Sequence, residues 1–245
     1  MLKDATYIAA SAIEILLPLI LAIIIWKKFK VSWAIFFLGM VLFLASLIRT
    51  PLNTYLGSLL QTNFRGETFY ILFGAMAGLT AGIFEEGARV LALGAVIKPR
   101  DYYKGIMYGI GHGGGGESMV FIGLSTLANF IIYKFFPNIL PINMVPQISQ
   151  MAWYIPLVGA LERILAITIQ IAFSVLIMYA FMSKKYYIIL VTIIFHAIVD
   201  LVAFYINYKF GLWFAEAGAA VFAIVSIVII VLLRPKNYKN ALKNP

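Results

Sequence analysis

The chain consists of long apolar blocks separated by short polar links, without sustained alternation of apolar and polar positions. A hydrocarbon core about 30 Å thick is crossed by roughly 20 residues of helix. Seven blocks suit such a crossing: Tyr7–Trp26, Val31–Ile48, Thr68–Ile97, Gly105–Phe135, Trp153–Met182, Tyr186–Tyr208 and Leu212–Leu233. The pattern therefore predicts an all-α membrane bundle of about seven transmembrane helices.

Two links are longer than the others, Thr50–Glu67 and Phe136–Ala152. We expect both to be loops on the same side of the membrane. The second contains Pro137, Pro141 and Pro146, which disfavour a continuous helix.

Composition agrees with lipid as the solvent. Hydrophobic residues make up 63% of the 245 residues and charged residues 12%, about half the charged share of an average soluble domain. We expect residues 1–245 to form a single integral-membrane domain, multi-pass in the cell membrane. There is no cysteine, so disulfides and thiolate chemistry are excluded.

The basic residues between the blocks predict the orientation. One side carries twelve of them and the other five. The twelve are Lys27, Lys28, Lys30, Lys98, Arg100, Lys104, Lys184, Lys185, Arg234, Lys236, Lys239 and Lys243. The positive-inside rule places them in the cytoplasm, with the N-terminus outside and the C-terminus inside. Because they are scattered along membrane edges, we expect lipid and no nucleic acid as a partner.

Several ionisable side chains interrupt the apolar blocks, where each costs several kcal/mol and is a functional-site candidate. They are Glu85, Glu86, Arg89, His112, Glu117, Glu162, Arg163, His196 and Asp200, with the polar Gln170 in the fifth block. At 1.5 Å per residue, Glu86 lies about 18 Å, His112 about 12 Å and His196 about 16 Å from the cytoplasmic edge. Gln170 lies about 18 Å from it. We expect these side chains, nearer the cytoplasmic face, to share one pocket.

Four further charged residues are expected to lie outside this pocket. Glu162 and Arg163 lie about 30 Å from the cytoplasmic edge and predict a structural ion pair near the outer surface. Glu14 and Glu216 are expected to be solvated or structural.

Spacing along the helices predicts which side chains meet. Glu85 and Arg89 are four residues apart, so they are expected to pair, leaving Glu86 about 100° away around the helix. His196 and Asp200 have the same spacing, which places a carboxylate beside an imidazole.

Glycines mark the fourth block. Gly105, Gly109 and Gly113 recur every four residues and predict a flat face for close helix packing. The run Gly113–Gly116 weakens the helix, and we expect it to be locally unwound beside a cavity or simply to be a packing surface.

A carboxylate and two imidazoles around water make a hydrolytic set. The carboxylate takes a proton from water, one imidazole orients the water or protonates the leaving group, and another donor stabilises the oxyanion.

Three motifs carry a family resemblance: Glu85–Arg89 (EEGAR), Gly109–Glu117 (GIGHGGGGE) and Phe195–Asp200 (FHAIVD). Together they resemble the YhfC family of intramembrane peptidases. That family is similar to the CAAX-protease and bacteriocin-processing (CPBP) group, which includes the prenyl-protein endopeptidase of the Ras-converting type.

The resemblance implies an endopeptidase that uses glutamate-activated water on a membrane-associated peptide or protein. Glu86 or Glu85 would be the general base. His112 would match the histidine of the second motif, and His196 with Asp200 would match the third.

The chain departs from the wider pattern in two places. Arg89, which would orient the glutamates, follows Glu85 by four residues, whereas the CPBP motif has five. Gln170 stands where a histidine is expected in close relatives, which puts full activity in doubt.

Alternatives remain open. His112, His196 and Glu117 or Glu86 could form a zinc site, but no His-Glu-x-x-His motif is present, so we favour chemistry without metal or cofactor. A proton-coupled transporter would use the same residues as a relay. A catalytically silent binding or immunity protein is the third possibility.

Overall fold

The computed structural model describes residues 2–141 and 144–235, and its main elements are helices. They are α1 (Leu2–Phe29), α2 (Trp33–Ser46), α3 (Arg49–Asn63), α4 (Gly66–Val90), α5 (Tyr102–Gly109), α6 (Leu124–Phe135), α7 (Met144–Gln150), α8 (Ile155–Ser183), α9 (Tyr187–Phe210) and α10 (Leu212–Leu232). Two π-helices, π1 (Leu91–Val96) and π2 (Ile110–Gly123), follow α4 and α5 directly, and Pro137–Ile139 form a 3₁₀ turn.

Seven helical segments of the described chain are long and apolar enough to cross a membrane, as predicted. They are Leu2–Phe29, Trp33–Asn63, Gly66–Val96, Tyr102–Phe135, Ile155–Ser183, Tyr187–Phe210 and Leu212–Leu232. The chain is therefore a multi-pass membrane protein. Its orientation stays a prediction, and Lys236, Lys239 and Lys243, which support that prediction, lie outside the described residues.

Successive crossings alternate in direction, which defines two ends of the bundle. The links after the first, third and fifth crossings share one end, here called the basic end, which carries Lys28, Arg100 and Lys184. The links Phe64–Arg65 and Gly211 lie at the opposite end.

The first long link is not a loop, so that prediction was wrong. Most of it is the helix α3, which continues the direction of α2 after a bend at Leu47 and Ile48. Hydroxyl groups make the polar sequence compatible with a helix, because Thr54 and Thr62 donate to backbone carbonyls four residues earlier. In the second long link the described residues contain only the 3₁₀ turn and the short α7, in agreement with its prolines.

The most buried membrane helix of the described chain is α8, which contacts α1, α4, α5, α9, α10 and π2. Around it, α4 packs against α9, and π2 packs against α1 and α2. Large apolar side chains such as Leu190, Ile194 and Ile227 point outwards and are exposed, as expected for lipid-facing positions.

The glycine face predicted on the fourth block packs against α8. A methyl group added to Gly105 would lie 3.0 Å from Met178 Cβ, and one added to Gly109 would lie 2.7 Å from Ile171 Cα. Gly113 faces the side chain of Gln170. These glycines bring α5 and π2 against α8 and confirm the prediction.

A second glycine face was missed in the sequence. Gly74, Gly78 and Gly82 recur every four residues along α4 and face α9. A Cβ at Gly78 would lie 2.5 Å from the Ala197 carbonyl oxygen, and one at Gly82 would lie 2.7 Å from that of Ile193. The backbones of α4 and α9 are therefore in direct contact just before the Glu-Glu pair.

Candidate active site

Glu85 and Glu86 project from the last part of α4 into two different surroundings. Glu86 follows Gly82 by four residues and so continues the glycine face towards α9, while Glu85 lies about 100° away around the helix. Both side chains are buried, with exposed fractions of 3% for Glu85 and 0% for Glu86. Two adjacent carboxylates at membrane depth need partners, and each has its own.

Glu86 contacts an arginine and a histidine through one carboxylate oxygen. Arg89 Nη1 donates to Glu86 Oε1 at 2.5 Å, and His196 Nδ1 lies 2.8 Å from the same oxygen. The second oxygen, Oε2, is buried and has no hydrogen-bond partner among the described residues. Oε2 of Glu86 is therefore free to accept a proton.

Glu85 is bonded through both of its oxygens. Arg49 Nη2, at the bend between α2 and α3, donates to Oε1 at 2.6 Å. Oε2 lies 3.2 Å from His112 Nε2 and accepts a hydrogen bond from Gln170 Nε2 at 3.3 Å. Glu85 thus joins α4 to α3, π2 and α8.

The predicted pairing of Glu85 with Arg89 was wrong, because Arg89 pairs with Glu86 three residues before it. Arg89 also donates to Gln170 Oε1 and, at 3.1 Å, to Ser174 Oγ, both on α8. These contacts hold the guanidinium on the α8 side of α4. Arg89 therefore orients Glu86, and Arg49 takes the place expected for it beside Glu85.

The glycine run Gly113–Gly116 is not unwound, which corrects that expectation. It lies inside the π-helix π2, whose i→i+5 hydrogen bonds keep the backbone polar groups paired. Gly113 faces α8, and the other three glycines are buried against side chains of α1 and α2. A Cβ at Gly114 would lie 2.8 Å from Pro18 Cβ, and one at Gly116 would lie 2.6 Å from Phe43 Cβ. The packing-surface interpretation is the correct one.

The π-helix also changes which residues share a face. In an α-helix, residues five apart point about 140° away from each other, whereas a π-helical turn brings them near one face. His112 and Glu117 are five apart in π2, and both contact the same network. His112 Nε2 faces Glu85, and Glu117 Oε2 accepts a hydrogen bond from Gln170 Nε2 at 3.0 Å.

The ion pair of Glu162 and Arg163 is present but is not isolated from the site. Arg163 pairs with Glu162 and also with Glu117, whose Oε1 lies 2.7 Å from Arg163 Nη1. Since Glu117 also accepts from Gln170, a continuous chain of hydrogen bonds runs from Glu162 to Glu85. The expectation that this pair lies apart from the site was wrong.

His196 and Asp200 lie close together, as their spacing predicts. His196 Nε2 is 3.8 Å from Asp200 Oδ2, and the Asp200 side chain is 41% exposed. Asp200 lies in the wall of a cavity of about 390 Å³ between α4, α8, α9 and α10. The cavity extends along Asn207 and Leu212, towards the end opposite the basic end. This cavity therefore does not extend towards the basic end.

The structure joins the sequence-selected residues through hydrogen bonds and ion pairs. The centre of this network consists of Glu85, Glu86, Arg89, His112, Gln170 and His196. Glu117 extends the network through Gln170, and Asp200 lies at its edge towards the cavity. Three residues were missed: Arg49 beside Glu85, Ser174 beside Arg89, and Tyr108, whose hydroxyl is 3.5 Å from His112 Nδ1. Ser174 follows Gln170 by one helical turn, which is the signal that could have identified it.

A zinc ion held by three protein ligands does not fit this arrangement. Among the residues that the structure describes, no three His, Asp or Glu side chains are grouped as metal ligands. Each histidine faces a different glutamate, and Glu117 is engaged by Arg163 and Gln170. Two guanidinium groups already balance the two central carboxylates, so a divalent cation would add uncompensated charge.

Comparison with known proteins gives a consistent family match. A family model described as YhfC intramembrane metalloprotease matches residues 13–221. The uncharacterized membrane protein YhfC of Bacillus subtilis (strain 168) is 30% identical over 240 residues, covering 89% of each chain. No solved structure matches.

Proposed function

The chain belongs to the YhfC intramembrane metalloprotease family, and from that premise we propose that it is an endopeptidase whose base is a glutamate. In this proposal water attacks a peptide carbonyl of a membrane-associated peptide or protein, and Glu86 takes the proton from that water. The observation that carries the assignment is the buried Oε2 of Glu86, which has no partner among the described residues. Every polar oxygen of Glu85 is already bonded.

His196 is the proposed partner of the base. Its Nδ1 lies 2.8 Å from Glu86 Oε1, and its other nitrogen points towards Asp200 at the cavity. An imidazole in that position can receive at Nδ1 the proton that Glu86 has taken from water and give the proton on its other nitrogen to the leaving amine, so that the proton count balances. Asp200 orients the imidazole from the other side, as carboxylates do for catalytic histidines.

His112 has a different proposed role. It is fully buried between Glu85 and the Tyr108 hydroxyl. Both of its ring nitrogens are therefore engaged, and His112 is proposed to position Glu85 rather than to contact the substrate. Arg89 and Gln170 keep the two glutamates apart and oriented.

The family is described as a metalloprotease family, whereas the proposed mechanism uses no metal ion. The arrangement of donors does not fit a three-ligand zinc centre, so no step is assigned to a metal ion. The charge that a metal would supply beside the carboxylates is supplied here by Arg49 and Arg89.

The test is hydrolysis by the purified full-length protein in lipid nanodiscs. The substrates are a mixture of apolar peptides, and new termini are identified by mass spectrometry. We expect cleavage by the wild type and by Glu67→Gln, whose side chain lies at the opposite end with Lys209. His112→Ala and His196→Ala are expected to be inactive while eluting as folded protein. Equal cleavage by all four proteins would exclude the proposed site.

Proton-coupled transport is the second candidate, because the polar chain from Glu162 to Glu85 is continuous through Arg163, Glu117 and Gln170. Such a chain is typical of proton relays. Proteoliposomes with a proton gradient would show solute uptake that Asp200→Asn abolishes. Peptide cleavage without any uptake would exclude this candidate.

A further inference from the structure

The cavity beside Asp200 has an acidic wall. Its wall contains three carboxylates, Glu162, Asp200 and Glu216, and no Lys or Arg among the residues that the structure describes. Small side chains at Gly74 and Ala77 leave its α4 side open. At about 390 Å³ the cavity has room for a side chain and part of a peptide backbone. A concave acidic wall in a low-dielectric surrounding concentrates cations.

The three carboxylates differ in whether they have a partner. Glu162 pairs with Arg163, and Asp200 lies 3.8 Å from His196. Glu216, on α10, has an exposed fraction of 7%, and its Oε2 is buried without a hydrogen-bond partner among the described residues. Of the two alternatives expected for Glu216, solvated or structural, the solvated one was therefore wrong. A buried carboxylate without a partner is costly, so Glu216 is the group whose partner would come from a ligand.

We propose that this acidic cavity binds a cationic nitrogen of the peptide substrate, with Glu216 as its ion-pair partner. The nitrogen belongs either to a Lys or Arg side chain or to a free amino terminus. The inference rests on the proposed endopeptidase function and adds to it the class of substrate. Asp200 connects the cavity to His196, and His196 contacts Glu86, so a residue bound at Glu216 places the neighbouring peptide backbone towards the catalytic pair.

A matched control exists in the same chain. Glu14 on α1 is also buried, with an exposed fraction of 3%, and its Oε2 also lacks a hydrogen-bond partner among the described residues. It does not belong to the cavity wall. Glu14→Gln therefore removes a carboxylate of the same kind without touching the proposed binding site.

The experiment measures peptide binding in the Glu86→Gln background, so that cleavage does not interfere. Four fluorescent apolar 12-residue peptides combine a central Lys or Gln with a free or acetylated amino terminus. Binding to the full-length protein in nanodiscs is followed by fluorescence anisotropy. We expect the peptides that carry a cationic nitrogen to bind about tenfold more tightly than the acetylated Gln peptide. Higher salt should reduce this preference.

The variants locate the contact. Adding Glu216→Gln should abolish the preference, whereas adding Glu14→Gln should retain it. Glu216→Asp keeps the charge and should retain most of the preference, which separates loss of the ion pair from a folding defect. A preference only for the Lys peptides identifies a side-chain ligand, and a preference only for free amino termini identifies the terminus.

Two results would overturn the inference: equal binding of all four peptides, or a preference that survives Glu216→Gln. Neither result bears on catalysis, because both are measured in an inactive background. The proposed endopeptidase function fails separately, when the wild type cleaves none of the apolar peptides.

Discussion

Glu85 and Glu86 are adjacent in α4, but their side chains project into two regions of the molecule with different properties. On the Glu85 side, Arg49 and His112 occupy the carboxylate and tie α4 to α3 and π2. On the Glu86 side, His196 shares one oxygen with an arginine, and the other oxygen has no partner among the described residues. Glu85 therefore holds helices together, whereas Glu86 keeps an acceptor for water.

The largest expected effect is the loss of the base. Glu86→Gln keeps the size of the side chain and removes its ability to take a proton, so kcat should fall by roughly 10²–10⁴-fold. The rate of peptide cleavage measures this effect, with Glu67→Gln at the opposite end as the control. Full activity in Glu86→Gln, together with none in Glu85→Gln, would exchange the roles of the two glutamates.

The next effect concerns stability on the Glu85 side. Glu85→Gln leaves Arg49 without its counterion, and losing one partner of a buried ion pair costs about 3 kcal/mol. The melting temperature in detergent should fall accordingly. Arg49→Gln in the same chain removes the uncompensated charge, so the double variant should be less destabilised than the sum of the single variants. Strict additivity would show that the pair does not couple α4 to α3.

A smaller effect should follow from separating α4 and α9. Gly78→Ala places a Cβ 2.5 Å from the Ala197 carbonyl oxygen, and such overpacking costs about 1–3 kcal/mol. Because α4 must shift, Glu86 and His196 should also separate, so cleavage should decrease as well. Gly87→Ala is the control, since no atom lies within 4 Å of its added Cβ. Similar melting temperatures for the two variants would contradict the close contact.

The smallest effect is expected from the hydroxyl beside Arg89. Ser174→Ala removes one hydrogen bond, from Arg89 Nε at 3.1 Å, which contributes about 1 kcal/mol. Ser183→Ala is a matched control on α8, because both hydroxyls also donate to a carbonyl four residues earlier. The melting temperature and the cleavage rate should decrease only for Ser174→Ala. An equal response of both variants would show that Ser174 does not position Arg89.

The sequence predicted the crossings well, because lipid requires apolar blocks of sufficient length. It also placed Glu86, His112 and His196 at one depth, and the structure brings them into one network. Depth follows from counting residues along a helix, so it needs no knowledge of neighbouring helices.

The partners of the charged residues could not be predicted in the same way. Residues three and four apart both lie within reach on a helix, so Arg89 could pair with either glutamate. The choice is made by Gln170 and Ser174 on α8, which the local sequence does not show. Arg49 lies between the predicted second crossing and the first long link, and its contact with Glu85 could not be predicted because the polar sequence of α3 hides a helix.

The spacing of the glycines in α4 also predicts which way Glu86 faces. Gly74, Gly78, Gly82 and Glu86 are spaced by four residues, which places Glu86 on the face that packs against another helix. The π-helical form of π2 had no comparable signal, since its extra residue per turn leaves no periodic trace in a run of glycines.

The metal dependence of peptide cleavage separates glutamate-activated water from catalysis by a bound metal ion. Purified wild-type protein would be treated with a chelator, its metal content measured, and its cleavage rate compared with that of untreated protein and of Glu86→Gln. Glutamate-activated water without metal predicts an unchanged rate in the chelated wild type and none in Glu86→Gln. Loss of activity on chelation, with recovery on adding Zn²⁺, would contradict it.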